Sequence, residues 1–345
     1  MKGAQSRHGR YTDTEMNMAM HSRSLVGCFA ILVALFFCAA GSAAELQTLR
    51  VEGGTITFRV AKQQGFYEKY GIKIQDEDSG TGAAMMERLG KGEIDIVDGG
   101  LDNGIAGAAG GMDVVIVAGA SLAGQELIAK PGIRSAQDLR GKIIAVDSTN
   151  MQAALLLKKM LLLAGLKPGL DYQMKVVGAN RLKAMRENEE YAAAILAGTQ
   201  ASLAKQDGYV SLGNSLDVVG PVTYHGSFVR RSWAREHADL LTRYIAAEIE
   251  AQRWILAPAN KPKVIEIIKK SSMAGTTDAM LEAAYREQVS GKGALTKELR
   301  LDVPALENFL RLRAQIEGSW QGSAPAAQSL YDLSYYDKAV QLVGK

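Results

Sequence analysis

The chain contains little cysteine and histidine, and this scarcity limits the chemistry it can perform. Its two cysteines, Cys28 and Cys38, lie in one apolar segment near the N-terminus, so the rest of the chain has none for a disulfide framework or a zinc site. Only His225 and His237 lie beyond residue 44, and neither belongs to a His-Glu-x-x-His pattern. A Gly-x-Ser-x-Gly nucleophile motif is also missing. We therefore predict no metal, no cofactor and no catalytic residues, and a protein that is not an enzyme.

An excess of charge of either sign is also missing. The chain has 40 basic and 37 acidic residues, a formal net charge of +3. Residues 1–44 carry four basic and two acidic residues, which leaves 36 basic and 35 acidic residues for the remainder. A basic patch is the usual signature of a nucleic-acid-binding protein. We therefore predict no nucleic-acid partner.

The only long apolar run is the segment 25–40, which contains no charged residue. Its 16 residues are fewer than the ~20 that a membrane-spanning helix needs. Arg23 precedes the run and small residues follow it at 41–44, as in a secretory signal peptide. We predict that 1–44 is a signal peptide cut after Ala44. The alternative is an uncleaved membrane anchor.

From residue 49 onward, short β-type runs alternate with helical patterns, which predicts βαβ units in an α/β fold with mainly parallel sheets. The predicted strands are 49–53, 72–76, 94–98, 114–118, 143–147, 173–177, 192–196 and 226–230. The predicted helices are 57–70, 82–91, 101–110, 135–140, 150–165, 180–188 and 199–207. Beyond residue 232 the pattern is helical, and it predicts 233–257, 261–272, 277–288 and 303–317. In the first of these, Leu241, Ile245 and Ile249 form an apolar stripe that we expect to be buried.

Three motifs follow one another in the first part of the chain. They are AKQQGFYEKYGI at 61–72, SGTGA at 79–83 and GEIDI at 92–96. A fourth, DLRGK at 138–142, comes later. Together they resemble the bacterial periplasmic solute-binding proteins for sulfonates, taurine, nitrate and thiamine-precursor pyrimidines, the NMT1/SsuA-like family of ABC transporters. The resemblance covers residues 49 to 290 and implies a periplasmic protein.

The resemblance implies a two-lobed periplasmic-binding-protein type II fold with a helical C-terminal region. Two extended runs, 126–130 and 222–230, look like crossings between the lobes. We therefore expect a first lobe of 45–130 and 226–345, and an inserted second lobe of 131–225. A single doubly wound sheet is the alternative.

Each lobe is predicted to present helix N-termini outside the carboxyl ends of its strands, where ligands bind in open α/β sheets. Free N–H groups at such turns can hold a polar or anionic head. Aromatic side chains can flank an organic body. The candidate contacts in the first lobe are Thr81, Gly82, Gly100 and Asp102, those in the second are Ser148, Thr149 and Asn180, and the aromatic candidates are Phe58 and Tyr224.

From the resemblance we expect the protein to capture a small polar organic solute by hinge closure. It would deliver the solute to an ABC permease in the inner membrane, and we expect it to be a monomer. A sulfonate or carboxylate is favoured, and a zwitterion or a pyrimidine is the next choice. If Asp102 faces the cleft, it favours a solute with an amine or hydroxyls. A solute sensor with a membrane signalling partner, or a pyrimidine-processing protein of the same fold, stays open.

Overall fold

The computed structural model describes residues 45–272, 274–291 and 293–344, and Leu46–Lys345 form one compact unit. The predicted signal peptide and its cleavage site after Ala44 lie outside the described residues. Within the described part of the chain, no helix combines the length and the apolar character that crossing a membrane would need.

The first lobe is built on a mixed sheet. Within the described residues this sheet has five strands in the order β2-β1-β3-β10-β4. The strands are β1 (Gln47–Gly53), β2 (Ile72–Asp76), β3 (Ile96–Gly100), β4 (Val114–Gly119) and β10 (His225–Arg230). Strand β1 pairs in parallel with β2 and β3, whereas β10 runs antiparallel between β3 and β4. The chain therefore returns to this sheet only after the second lobe is complete.

The second lobe has its own sheet, with the order β7-β6-β8-β5-β9 among the described residues. Its strands are β5 (Glu126–Ala129), β6 (Ile143–Val146), β7 (Gln173–Val176), β8 (Tyr191–Leu196) and β9 (Val210–Asn214). Strand β5 pairs with β8 and β9, so the run at 126–130 belongs to this sheet and not to the first lobe, where the boundary at residue 130 had placed it. Three consecutive residues of this run, 127–129, are buried, and the pairing shows to which sheet it belongs.

Helices connect these strands and cover the sheets. In the first lobe they are α1 (Ile56–Gln63), α2 (Phe66–Lys69), α3 (Gly82–Lys91) and α4 (Leu101–Ala109). In the second they are α5 (Gln152–Leu163), α6 (Arg181–Glu187), α7 (Gly198–Gln206) and α8 (Ser215–Val218). The remainder are α9 (Arg231–Glu236), α10 (Ala238–Leu256), α11 (Lys261–Lys270), α12 (Asp278–Ser290), α13 (Val303–Glu317) and α14 (Ser334–Val343). The predicted helix 135–140 is a short 3-10 turn, Ala136–Leu139.

The elements agree with the predicted α/β pattern in outline. All eight predicted strands form, with ends displaced by at most two residues, but β9, α8 and α14 were not predicted, β5 was given only as an extended run, and the predicted helices 57–70 and 233–257 are each divided in two. The predicted stripe Leu241, Ile245 and Ile249 of α10 is completely buried. Helix α14 packs against α10 through Tyr335, Tyr336 and Ala339, which explains why the C-terminal tail is rich in aromatic residues.

Helix α13 links the two lobes. Its Phe309 and Leu310 belong to a hydrophobic cluster that also contains Leu101 of the first lobe and Leu155 of the second. Two polar contacts join α13 to the second lobe: Arg313 Nη2 donates to the carbonyl of Asn150 at 3.1 Å, and the Lys158 ammonium lies 2.5 Å from the Glu317 carboxylate. The lobes are therefore held together beside the cleft between them.

Candidate functional site

The cleft between the lobes contains a cavity of about 510 Å³ lined by both of them. The carboxyl ends of the strands lead into this cavity, because the turns after β3, β6 and β7 all contribute to its wall. The lining residues of the first lobe and of the segments that connect the lobes are Gly82, Ala83, Gly100, Asp102, Asn103, Gln125, Tyr224 and His225. Those of the second lobe are Asp147, Ser148, Met151, Gln152, Ala153 and Arg181.

Five of the nine predicted contact residues line this cavity. They are Gly82, Gly100, Asp102, Ser148 and Tyr224. The structure thus brings together residues that are more than 140 positions apart in the chain. Their contact with a solute stays a prediction.

The remaining four lie elsewhere. Phe58 is 1% exposed and packs in the first-lobe core against Tyr67, with ring centroids 5.8 Å apart, so we withdraw it from the candidate set. Thr81 is the N-cap of α3, where its Oγ1 accepts the N–H of Ala84 at 3.2 Å. Thr149 and Asn180 are exposed, and neither lines the cavity. Their residue types suit a helix start, and that local role does not require contact with the cavity.

Gly82 and Gly100 make room for polar side chains at the cleft. A Cβ atom on Gly82 would lie 2.7 Å from the Asn103 amide oxygen, and one on Gly100 would lie 2.7 Å from the Asp102 carboxylate. Both distances are shorter than normal contacts. The two glycines therefore allow Asp102 and Asn103, at the start of α4, to fold back over the end of β3.

Asp102 reaches across the cleft. Its carboxylate Oδ2 accepts the backbone N–H of Gln152, the first residue of α5, at 3.1 Å, and the side chain is buried. A carboxylate is stabilised at this position by the positive end of the helix dipole. Burial raises the pKa of Asp102, and the N–H of Gln152 opposes this shift. A residue of one lobe thus occupies the helix N-terminus of the other.

Ser148 occupies a second donor at the same helix N-terminus. Its Oγ accepts the N–H of Met151 at 3.0 Å. The sequence predicts that the N–H groups at this turn are free for the polar head of a solute. Two of them, on Met151 and Gln152, are instead paired within the protein.

Two buried amide oxygens at the cavity have no hydrogen-bond partner among the described residues. They are Oε1 of Gln125 and Oε1 of Gln152, whose residues are 4% and 2% exposed. The Gln152 amide is oriented by its Nε2, which donates to the carbonyl of Thr223 at 2.5 Å. Its oxygen therefore cannot take that position, and it has no hydrogen-bond donor among the described residues.

Arg181 is a site residue that the sequence analysis missed. It is the first residue of α6, and its guanidinium lies 2.6 Å from the carboxylate of Asp147. Arg181 Nε has no hydrogen-bond partner among the described residues. A positive charge at a helix N-terminus opposes the helix dipole. That local conflict, one residue after Asn180, is the signal that could have identified it.

Tyr224 and His225 form the wall next to β10. The centroids of their rings are 3.7 Å apart and the ring planes are tilted by 33°, and the His225 Nδ1 lies 3.2 Å from the Ser121 hydroxyl. Burial lowers the pKa of His225 to about 4, and the nearby positive charge of Arg59 adds to this effect. His225 is therefore neutral at pH 7. The same two rings also line a second hollow of about 410 Å³, which includes Thr55 and Arg59.

No cluster of three or more potential metal ligands occurs in the described ranges.

Several solved structures share this fold. The alkanesulfonate-binding protein SsuA from Xanthomonas axonopodis pv. citri, bound to MOPS, superposes with a TM-score of 0.66 at 19% identity, over 84% of this chain and 100% of that chain. The periplasmic aliphatic sulphonate binding protein SsuA from Escherichia coli superposes with a TM-score of 0.65 at 21% identity, over 83% of this chain and 91% of that chain. The periplasmic nitrate-binding protein NrtA from Synechocystis PCC 6803 superposes with a TM-score of 0.65 at 14% identity, over 87% of this chain and 90% of that chain.

These likenesses confirm the predicted two-lobed periplasmic-binding-protein fold. No curated protein sequence matches the chain. The profile of the NMT1-like family matches residues 55–269, which is more than half of the chain and includes most of the cavity wall. This chain therefore belongs to the NMT1-like family.

Proposed function

We propose that this protein captures a small polar organic solute between its lobes and delivers it to an ABC importer. The observation that carries the proposal is the cavity of about 510 Å³, which both lobes line and at which Gln125 and Gln152 present unpaired buried oxygens. Buried polar groups in native proteins nearly always have hydrogen-bond partners. A solute with donors for these oxygens, and with an acceptor for the unpaired Nε of Arg181 at the same cavity, would supply the missing partners.

The similar proteins of known structure support transport. Their names describe periplasmic binding proteins for sulfonates and for nitrate, and the matched folds extend over most of each chain. A periplasmic location, reached through the predicted signal peptide, and a permease partner in the inner membrane belong to this proposal. A solute sensor would use the same cleft. Transport and sensing differ in the membrane protein that the closed form binds, which is a permease for transport and a signalling protein for sensing.

The proposed mechanism is hinge closure. Asp102 and Gln152 already touch across the cleft, and α13 connects the lobes beside it. A solute that contacts Tyr224 on one side and Arg181 on the other would stabilise the closed arrangement, because ligands shift a conformational balance only through contacts that are better in one state. The closed form would then present both lobes to the permease.

We expect binding without turnover. Among the residues that line the cavity, the titratable groups are two aspartates, Arg181, Tyr224 and His225, and the histidine is too buried to act as a base near neutral pH. Mass spectrometry of a solute recovered after long incubation should return it unchanged. If a new product appears, the protein is an enzyme and the proposed receptor function is wrong.

A thermal-shift screen of sulfonates, carboxylates, amino acids and pyrimidines tests the proposal. A compound at 1,000 times its Kd stabilises by about 4 kcal/mol, which should raise the melting temperature by several degrees. Binding measured by calorimetry should weaken at least about tenfold in Tyr224→Leu, which removes an aromatic wall of the cavity. Thr149→Val is the matched control, since Thr149 does not line the cavity. If no compound binds, or if Tyr224→Leu binds as tightly as the control, the proposal is wrong.

A further inference from the structure

We propose that helix α12 is a gate that closes one side of the cleft, and that α13 is the pivot about which the lobes separate. In a hinge motion, two lobes come apart on one side and stay in contact on the other. This inference goes beyond the proposed function, because it concerns the protein without solute and does not depend on which compound the protein binds.

Helix α12 connects the two lobes. Its Leu281 and Tyr285 belong to the hydrophobic cluster of the first lobe, which also contains Val264 of α11. The preceding residue, Met280, is 3% exposed and belongs instead to the cluster of the second lobe, together with Leu203 of α7, the helix against which α12 packs. Neighbouring side chains of one helix are thus buried in the cores of different lobes.

The same helix forms part of the wall of the second hollow. Glu287 and Gln288 of α12 line this hollow, and so do residues 197–199 at the start of α7. Tyr224 and His225 line both this hollow and the first cavity. If α12 moves away from α7, the cleft therefore opens beside the two rings that also form a wall of the first cavity.

Helix α12 is attached to the second lobe through a single apolar anchor. Met280 is its only residue in the second-lobe cluster among the described residues. The ion pairs of α12 between described residues lead to α11 of the first lobe: Glu282 lies 2.7 Å from Lys261. Asp278 lies 3.6 Å from Lys269. A methionine side chain is flexible and uncharged, so it can leave its site without leaving a buried charge unpaired.

Helix α13 is attached to the second lobe by contacts of several kinds. Its Phe309 belongs to a hydrophobic cluster that contains residues of both lobes. Its Arg313 donates to the carbonyl of Asn150 at 3.1 Å, and its Glu317 pairs with Lys158 at 2.5 Å. Local opening costs least where few buried contacts are broken. The lobes should therefore separate at α12 and stay joined at α13.

Distances between spin labels in the full mature chain, measured without solute, test this inference. No cysteine lies beyond residue 44, so labels attach only at the positions chosen. One pair, Lys263→Cys on α11 and Gln206→Cys on α7, spans the gate. The other pair, Gln315→Cys on α13 and Leu163→Cys on α5, spans the pivot. All four residues are exposed, so labelling leaves the core intact.

Met280→Ala removes the anchor of α12 on the second lobe. It should raise the ratio of long to short distances of the gate pair at least about tenfold, because the buried methionine stabilises only the closed arrangement. The distance of the pivot pair should stay unchanged. The matched control is Met85→Ala on α3, since Met85 is 7% exposed in the first lobe and has no part in the gate. It should leave both distances unchanged.

Leu203→Ala removes the second-lobe side of the same cluster, and it should act like Met280→Ala even if that variant does not fold. Unchanged distances of the gate pair in these variants would overturn the inference, as would a pivot pair that lengthens as much as the gate pair. Equal lengthening in Met85→Ala would overturn it as well, because a general loss of stability would then explain the result. The thermal-shift screen tests the receptor function separately, so either proposal can fail while the other stands.

Discussion

The two lobes bury different kinds of side chain although both are built on five-stranded mixed sheets. Beneath the cleft, the first lobe encloses carboxylates together with tyrosine and threonine hydroxyls, whereas the second lobe encloses mainly alanine and leucine. Strand β8 of the second lobe illustrates the contrast, since all six of its residues, Tyr191–Leu196, are buried and five are aliphatic. One overall fold therefore tolerates a polar interior in one half and an apolar interior in the other.

The polar interior of the first lobe centres on Asp98 and Glu248. Asp98 accepts hydrogen bonds from the Thr55 N–H at 3.3 Å and the Ser227 hydroxyl at 2.9 Å, as well as from the Thr55 hydroxyl. Burial raises the pKa of Asp98 to about 6. Burial also raises the pKa of Glu248, which accepts the hydroxyl of Tyr67. The difference indicates that the pH dependence of the stability should reside mainly in the first lobe.

The largest expected effect concerns the aromatic core of the first lobe. Phe58→Ala should lower the free energy of unfolding by about 3–5 kcal/mol, the usual loss for a large buried aromatic side chain. Gly53 lies against the Phe58 ring, so the site cannot easily collapse. Chemical denaturation measures the change, and Phe66→Ala, at a partly buried position, is the control. A loss below about 1 kcal/mol would contradict the role of Phe58 as a core residue of the first lobe.

Asp98 and His225 should affect the pH dependence of stability in opposite directions. The folded pKa of Asp98, about 6, lies above its ordinary value of 3.8, so its contribution is present below pH 4 and is lost as the pH rises through 6. The folded pKa of His225, about 4, lies below 6.5, so its contribution is present above pH 6.5 and is lost as the pH falls through 4. Each of these two pKa shifts corresponds to a change of about 3 kcal/mol in the free energy of unfolding across its pH range.

Denaturation of variants between pH 4 and 6.5 separates these contributions. The stability of Asp98→Asn relative to wild type should increase with pH in this window, and that of His225→Gln should decrease. Differences that run in the same direction for both variants would contradict the assignment. An Asp113→Asn variant, on the surface, should show no slope relative to wild type.

A matched pair of tyrosines compares the two interiors directly. Tyr67→Phe removes the hydroxyl that donates to the buried Glu248, and it should cost about 1–3 kcal/mol. Tyr172→Phe in the second lobe removes a buried hydroxyl that has no partner among the described residues, so stability should stay unchanged or rise by about 1 kcal/mol. Equal losses from both changes would mean that the two interiors do not differ in polar pairing.

The smallest expected effect tests the connection between the lobes. Lys158 of α5 and Glu317 of α13 are 14% and 19% exposed, so Lys158→Met should cost up to about 1 kcal/mol. Lys183→Met is the control within a single helix, because Lys183 and Glu187 are both about two-thirds exposed and 3.8 Å apart. It should change stability by less than about 0.5 kcal/mol. Equal effects would show that the contact between α5 and α13 adds nothing beyond a surface pair.

The candidate site was only partly predictable from the sequence. Gly82, Gly100, Asp102, Ser148 and Tyr224 were found because turns after strands have recognisable residue types. Thr81 has the same residue type but does not line the cavity, because a residue that starts a helix can satisfy the backbone of that helix without facing a ligand. Thr149 precedes the N-cap of α5 by two residues and does not line the cavity either. Arg181 was missed although its positive charge at a helix N-terminus is a local signal. Gln152 was missed because nothing local indicates that its amide will be buried at an interface between lobes.

The sequence by itself determined the alternation of strands and helices, the helical C-terminal region and the family, because hydrophobic periodicity and turn residues act over short distances along the chain. Only the tertiary structure decided that β5 joins the second sheet and that α13 bridges the lobes. It also decided that Asp102 occupies the N-terminus of α5, 50 residues away. These outcomes depend on pairing, burial and charge between distant segments, and such contacts exist only after the chain has folded.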